Sequence, residues 1–318
     1  MAKYLIKRLL LVIPALFGAA LLIFLALRVL PGDIVEIKLR SDGGSVTAEQ
    51  IEQERRNLGL DKSLPSQFAN WMSGLLRLDF GNSMWTGAPV ASEIGVRFGL
   101  TIQVAILATL IGLTIALPLG TLSGIFPNTV LDYSIRMLTM AGLSIPAFWF
   151  GMILILILLR LFGWLPPLTY TPFWVDPWLN MQQLIWPAIS VGYRFAAIVA
   201  RMVRSSIMEV MTEDYIRTAR AKGVTETNIV VFHALKNALL PAITVVGMEF
   251  TFMIGGLVVT EQVFNLNGIG KLLVTSIVTL DFVTVQAIVM ILAALFIVVN
   301  LIVDLLYAVL DPRTVNSR

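Results

Sequence analysis

The segment Glu209–Pro241, EVMTEDYIRTARAKGVTETNIVVFHALKNALLP, decides how this chain is read. It is a long, basic, helix-patterned stretch between two strongly apolar ones, and no water-soluble core accounts for the apolar tracts on either side. Within it, Thr212–Lys222 reads as a short helix with Arg217, Arg220 and Lys222 near its end, where positive charge suits the helix dipole. Gly223 stops that helix in a way that only glycine does cheaply. Thr225 can then cap a second helix, TNIVVFHALKNALL, whose Ile229, Phe232 and Leu235 recur at three-residue steps. The pattern predicts a protruding elbow of helix, glycine and helix. Its apolar face has no soluble core of its own, so it serves either as a docking surface or as packing against the span ends.

Composition agrees with a membrane setting. Of 318 residues, 57% are hydrophobic and 14% charged, against roughly 25% charged in average soluble domains. The length divides into six spans of about 20 residues with their connections. The net charge of +3 does not point to nucleic acid, because the basic residues gather at particular span ends. No cysteine is present, which excludes disulfides and thiolate sites, and the single histidine, His233, excludes a histidine-rich metal site.

Taken in order, the chain opens with Lys3, Lys7 and Arg8 ahead of an apolar run at about 9–29. That run is longer than a cleaved signal usually carries and no A-x-A-like site follows, so it is expected to stay as a first span with the N-terminus in the cytoplasm. Pro31–Phe98 carries nine acidic and seven basic side chains and is expected outside, with a capping box at Thr47–Gln50 and an amphipathic helix in SQFANWMSGLLRL. Further spans are expected at about 100–122, 136–159, 185–203, 240–260 and 283–306. The proline- and tryptophan-rich stretch 163–184 and FNLNGIGKLLVTSIVTLD read as outer loops, and 204–239 as the cytoplasmic loop holding the elbow. An even number of spans leaves both termini inside. Residues 1–94 thus form a first span and external segment, 95–308 the transmembrane domain, and 309–318 a cytoplasmic tail.

Chemistry of its own is not expected of the chain. Asn267-Gly268-Ile269-Gly270-Lys271 lacks the first glycine and the hydroxyl of a phosphate-binding loop, and no Ser-His-Asp, HExxH or zinc spacing exists. Arg194 and Glu249 lie deep in spans four and five, where unpaired charge costs several kcal/mol unless it faces water. They either line a path and meet the termini of a peptide, or form a buried pair that fixes the two spans. Arg160, Glu261 and Asp304 sit near span ends, and Pro118, Pro146 and Pro187 are positioned to bend spans.

EDYIRTARAKG followed by HALKNALLPAITVVG resembles the cytoplasmic loop of permease subunits of ATP-binding-cassette (ABC) importers, in the dipeptide, oligopeptide and nickel branch. KYLIKRLLLVIPALFG, RVLPGD, LGLDKSLPSQFANW, LDFGNS, SIPAFWFG, TEQVFNLNGIGKLL and NLIVDLLYAVLDPR extend the likeness, in order, over nearly the whole chain. The resemblance implies an all-α, six-span type I importer transmembrane domain in the bacterial cytoplasmic membrane. It implies partners: a second homologous permease, two ATPase subunits holding ATP and magnesium, and an extracytoplasmic solute-binding protein. It also implies that Ala219 and Gly223 are the alanine and glycine of the coupling loop and that Leu240-Pro241 closes it. The generic Glu-Ala-Ala triplet is here Arg217-Thr218-Ala219, and the gap from Gly223 to Pro241 is longer than in the general pattern. The helix seated on the ATPase is expected at Thr225–Phe232, with Arg220, Glu226 and Asn228 beside it. The rivals are an ion-coupled secondary transporter, for which only Glu249 lies deep enough, and an intramembrane enzyme, which lacks a paired nucleophile and base.

Overall fold

Proline and glycine punctuate an otherwise continuous succession of helices. In the computed structural model, residues 2–29, 35–36, 39, 47–57 and 59–310 are described. Residues 30–33 of the RVLPGD stretch and the tail 311–318 lie outside them, as do the Lys3 and Lys7 side chains. The helices are α1 (Ala2–Val29), α2 (Ala48–Asn57), α3 (Leu64–Leu76), α4 (Val90–Ile125), α5 (Val130–Ser144), α6 (Ala147–Phe162) and α7 (Pro177–Val210). Then follow α8 (Asp214–Ala221), α9 (Glu226–Val263), α10 (Ile269–Val278) and α11 (Phe282–Leu310). Among the described residues the only strand-like pairing is an isolated bridge between Asn82 and Pro89.

Among the described residues four helices, α4, α7, α9 and α11, are long and apolar enough to cross a membrane, and the bent pair α5–α6 makes a fifth if the two count as one broken span. The apolar stretch Leu10–Ala26 of α1 is shorter and stands where the sequence places the first span. The expected third span, 136–159, is therefore not one rod: its two helices meet at 102°. Pro146 forces the preceding residue out of the helical region, and Ile145 sits at φ −91°, ψ 122°. The other spans exceed their expected bounds. At about 1.5 Å per residue, α4 is about 54 Å long, well over the ~30 Å hydrocarbon core, so its ends stand in the headgroups or water. Pro177 at the first turn and the Asp176 cap, which accepts from the Leu179 amide at 3.0 Å, start α7 within the expected outer loop 163–184. The other expected outer loop likewise contains α10.

The chain forms two compact units. The first comprises 1–8, 99–271 and 298–318. At its centre α7, the most buried of the four long helices, packs on α5, α6 and α9. Its approach to α4 depends on Gly120, where a Cβ would lie 2.6 Å from the Ala200 carbonyl oxygen. Asp304 reaches a neighbouring helix, pairing with Arg8 at 2.7 Å.

The second unit comprises 9–98 and 272–297. The expected capping box is present: Thr47 N–H donates to Gln50 Oε1 at 3.0 Å, and Gln50 N–H to Thr47 Oγ1 at 3.4 Å. Helix α3 packs Phe68 and Trp71 on Phe24 of α1, so part of its apolar face rests on a neighbouring helix. Asp281, buried, accepts from the Ser83 hydroxyl at 2.5 Å and the Thr284 hydroxyl at 2.8 Å, tying the segment before α4 to the start of α11.

Candidate functional site

The elbow is built from four buried anchors, Ile216, Ala219, Ile229 and Ala234, and an exposed rim. On α8, Ile216 and Ala219 are buried while Arg217, Thr218 and Arg220 face out. The helix ends at Lys222, and Gly223 takes φ +80° as the chain reverses, with nothing within 4 Å of where a Cβ would stand. Glycine is needed here for its backbone angle and not for space. Gly223 N–H donates to the Arg220 carbonyl at 2.9 Å, and Val224 N–H to that of Ala219 at 3.2 Å. Across this turn the Arg220 guanidinium clasps the Glu226 carboxylate with two bonds, 2.7 and 3.2 Å, joining α8 to the first turn of α9. Asn237 Nδ2 donates to the Tyr215 hydroxyl at 2.7 Å and makes a second tie.

The second arm differs from the sequence expectation in two ways. It is not a separate helix: from Glu226 the rod runs without a break through Pro241 to Val263, so the elbow continues into span five. Pro241 does not stop it, in keeping with the tolerance of spanning helices for proline where neighbouring groups compensate. Secondly, Ile229–Ala234 is a π-helical turn. Its wider winding inserts a residue, so the buried positions are Ile229, Ala234, Ala238 and Ala242, at steps of five, four and four. Ile229, Phe232 and Leu235 consequently do not share one face, and Phe232 is turned outward, 68% exposed. Thr225 occupies the cap position without a side-chain cap bond. With Thr225, Glu226 and Asn228 also exposed, Phe232 gives the elbow one apolar knob in a polar rim. Leu240 and Pro241 are half-buried beyond it. The loop proper is shorter than 204–239, because nothing breaks α7 before Val210.

Arg194 of α7 and Glu249 of α9 line one cavity of about 60 Å³, with Phe195, Phe252 and Met253 around them. They form no ion pair of 4.0 Å or less among the described residues. The cavity is small and opens to the surface at Arg194, which is exposed.

Two buried networks join the helices; the sequence singled out Glu261, near a span end, but not Asp132. Asp132, fully buried, accepts from Arg204 through Nε at 2.8 Å and Nη2 at 2.9 Å, from the Ser123 hydroxyl at 2.5 Å and from the Asn128 amide at 3.0 Å. This stitches α4, α5 and α7 together at the elbow side of the first unit. Glu261, also fully buried, accepts from the Thr101 hydroxyl at 2.7 Å and the Lys271 amide at 2.9 Å, while Ile269 N–H donates to Thr101 Oγ1 at 2.9 Å. The carboxylate thereby fastens the first turn of α10 to the end of α9. For Glu261 the signal was an acidic residue at the end of an apolar helical run, a costly placement that demands donors; Asp132, in the first turn of α5 where acidic residues are common, gave none.

With this arrangement in view, the comparisons with known proteins agree. Residues 116–316 match the family described as binding-protein-dependent transport system inner membrane component, and residues 1–110 match its N-terminal counterpart. The glutathione transport system permease protein GsiC of Pectobacterium atrosepticum is 40% identical over 312 residues, 98% of each chain. That of Escherichia coli K12 is 39% identical over the same share. A chain of the inward-facing MetNI methionine ABC transporter superposes with a TM-score of 0.52 at 18% identity, covering 66% of this chain and 93% of that one, a likeness of fold. The chain belongs to the binding-protein-dependent transport system inner membrane component family and is a multi-pass permease subunit of an ABC importer.

Proposed function

We propose that this chain moves a small peptide-like solute, of the glutathione and di- or oligopeptide class, across the cytoplasmic membrane by alternating access. In this reading the elbow 211–234 receives the stroke of a separate ATPase. The observation that carries it is the exposed Phe232 knob on a turn clasped by Arg220 and Glu226, continuous with spanning helix α9. A push on the knob is transmitted along a rigid rod without crossing a loop. The elbow lies in the cytoplasm and both termini with it, because Arg201, Arg204, Arg217, Arg220, Lys222 and Lys236 gather on that side.

The working assembly is this chain, a second homologous permease, two ATPase subunits and an extracytoplasmic binding protein that brings the solute. ATP and magnesium belong to the ATPases, and this chain performs no covalent chemistry. Arg194 and Glu249 carry opposite charges into one cavity without closing on each other, which suits the carboxylate and ammonium ends of a peptide once the helices rock apart. The relatives named for glutathione transport favour that tripeptide as the first solute to try.

The test is uptake into vesicles holding the complete importer. Accumulation of labelled glutathione or dipeptide is expected to require ATP and loaded binding protein. Uptake that persists without ATP and follows a proton gradient would contradict the reading.

A further inference from the structure

Three arginines meet in a second cavity of the first unit, about 190 Å³ in volume, between α4, α5 and α7: Arg136, Arg201 and Arg204. Asp132 neutralises Arg204. Among the described residues Arg136 and Arg201 have no carboxylate within ion-pair distance, and Arg136 has the ring of Tyr133 at 5.6 Å. Two positive charges thus face a cavity whose other walls include Ile135, Met140 and Leu143. At about 10–15 Å³ of such space per water, the cavity holds several water-sized groups.

The surroundings narrow the occupant. Beside the cavity, α5 leaves a stripe of Tyr133, Met137 and Met140 exposed by 53%, 72% and 59%. These recur at steps of four and three, along one face of the helix. Arg136 lies six residues into α5 and Arg201 nine residues before the end of α7, about 9 and 14 Å from the helix ends on the elbow side. With α7 about 51 Å long against a hydrocarbon core of ~30 Å, a symmetric overhang of about 10 Å at each end puts both arginines near the headgroup boundary. A soluble anion would gain from the arginines and nothing from the apolar stripe; a molecule with a phosphate head and acyl chains gains from both.

We infer that this cavity is a binding site for an anionic phospholipid, with Arg136 and Arg201 on the phosphate. Arg204, held by Asp132, supplies its remaining N–H groups, and the acyl chains lie on the Tyr133–Met137–Met140 stripe. Only the identity of the leaflet, the cytoplasmic one, rests on the orientation proposed above. Charge on the basic side of a span is ordinarily diffuse, whereas two unpaired guanidinium groups beside one cavity select a headgroup.

The assembled importer in nanodiscs of phosphatidylcholine with a varied fraction of phosphatidylglycerol gives the test, with retained lipid counted by native mass spectrometry after partial delipidation. The wild type is expected to retain phosphatidylglycerol over phosphatidylcholine. Each change, Arg136→Gln or Arg201→Gln, should weaken that preference about fivefold, and both together about thirtyfold. Arg136→Lys with Arg201→Lys keeps the charge, leaves the Asp132–Arg204 pair untouched and should keep most of the lipid, which separates binding from misfolding. Equal retention of phosphatidylglycerol by the wild type and the double glutamine variant would overturn the inference. Full displacement of the lipid by inorganic phosphate would overturn it too, since the arginines would then serve a soluble anion.

Discussion

Removing the ring of Phe232 strips the elbow of its knob while leaving the fold alone, because the side chain is 68% exposed and makes little contact within the chain. Aromatic side chains bury about 150–250 Å² when covered, so roughly 135 Å² of a ~200 Å² ring is free for a partner to cover. At about 25 cal/mol per Å² this is about 3.4 kcal/mol. Alanine retains roughly a third of the contact, so Phe232→Ala should cost about 2 kcal/mol of docking, about thirtyfold in Kd. Binding of the purified ATPase subunit to the permease in nanodiscs reads this directly, with Leu168→Ala, exposed but far along the chain, as a control without effect. The thermal midpoint of the permease should not move. A Kd within twofold of the wild type, with the fold intact, would refute the assignment of Phe232 to the docking surface.

Two other substitutions probe the frame around the elbow. Gly223→Val places a β-branched residue at φ +80° and should strain the turn by about 1–2 kcal/mol. Membrane insertion is expected to be normal and ATP-driven uptake severely reduced, and uptake at wild-type rate would count against the turn's role. Asp132→Asn leaves Arg204 without its charged partner and should destabilise the protein by about 3 kcal/mol, the low end for a broken buried pair, because the Arg204 side chain is 21% exposed. Asp132→Leu combined with Arg204→Met should be milder than Asp132→Asn alone; denaturant unfolding in detergent measures both, and strictly additive losses would exclude direct coupling.

What was legible in the sequence followed from strong local physics. Long apolar runs gave the spans, the Thr47–Gln50 box gave its helix start, and Gly223 gave the turn, since each rests on residues close together in the chain. The bend at Ile145-Pro146 was visible as a proline but not as a 102° corner, because the angle is set by what α5 and α6 pack against. The π turn at Ile229–Ala234 left no mark in the pattern, and it alone decides that Phe232 faces out. Asp132 and Glu261 find donors from residues 72 positions away at Arg204 and 160 positions away at Thr101. Such pairings are invisible without the fold, although a carboxylate at the end of an apolar helical run, as at Glu261, announces that donors must exist.

In the function proposed above, a partner ATPase grips this chain at the elbow, on the cytoplasmic side. Because the sequence contains no cysteine, Thr225→Cys introduces a unique thiol at an exposed position whose side chain makes no cap bond. In intact cells this thiol should resist a membrane-impermeant maleimide, and in inverted vesicles it should crosslink to the ATPase subunit. Labelling from outside the cell, with no crosslink to the ATPase, would contradict the account.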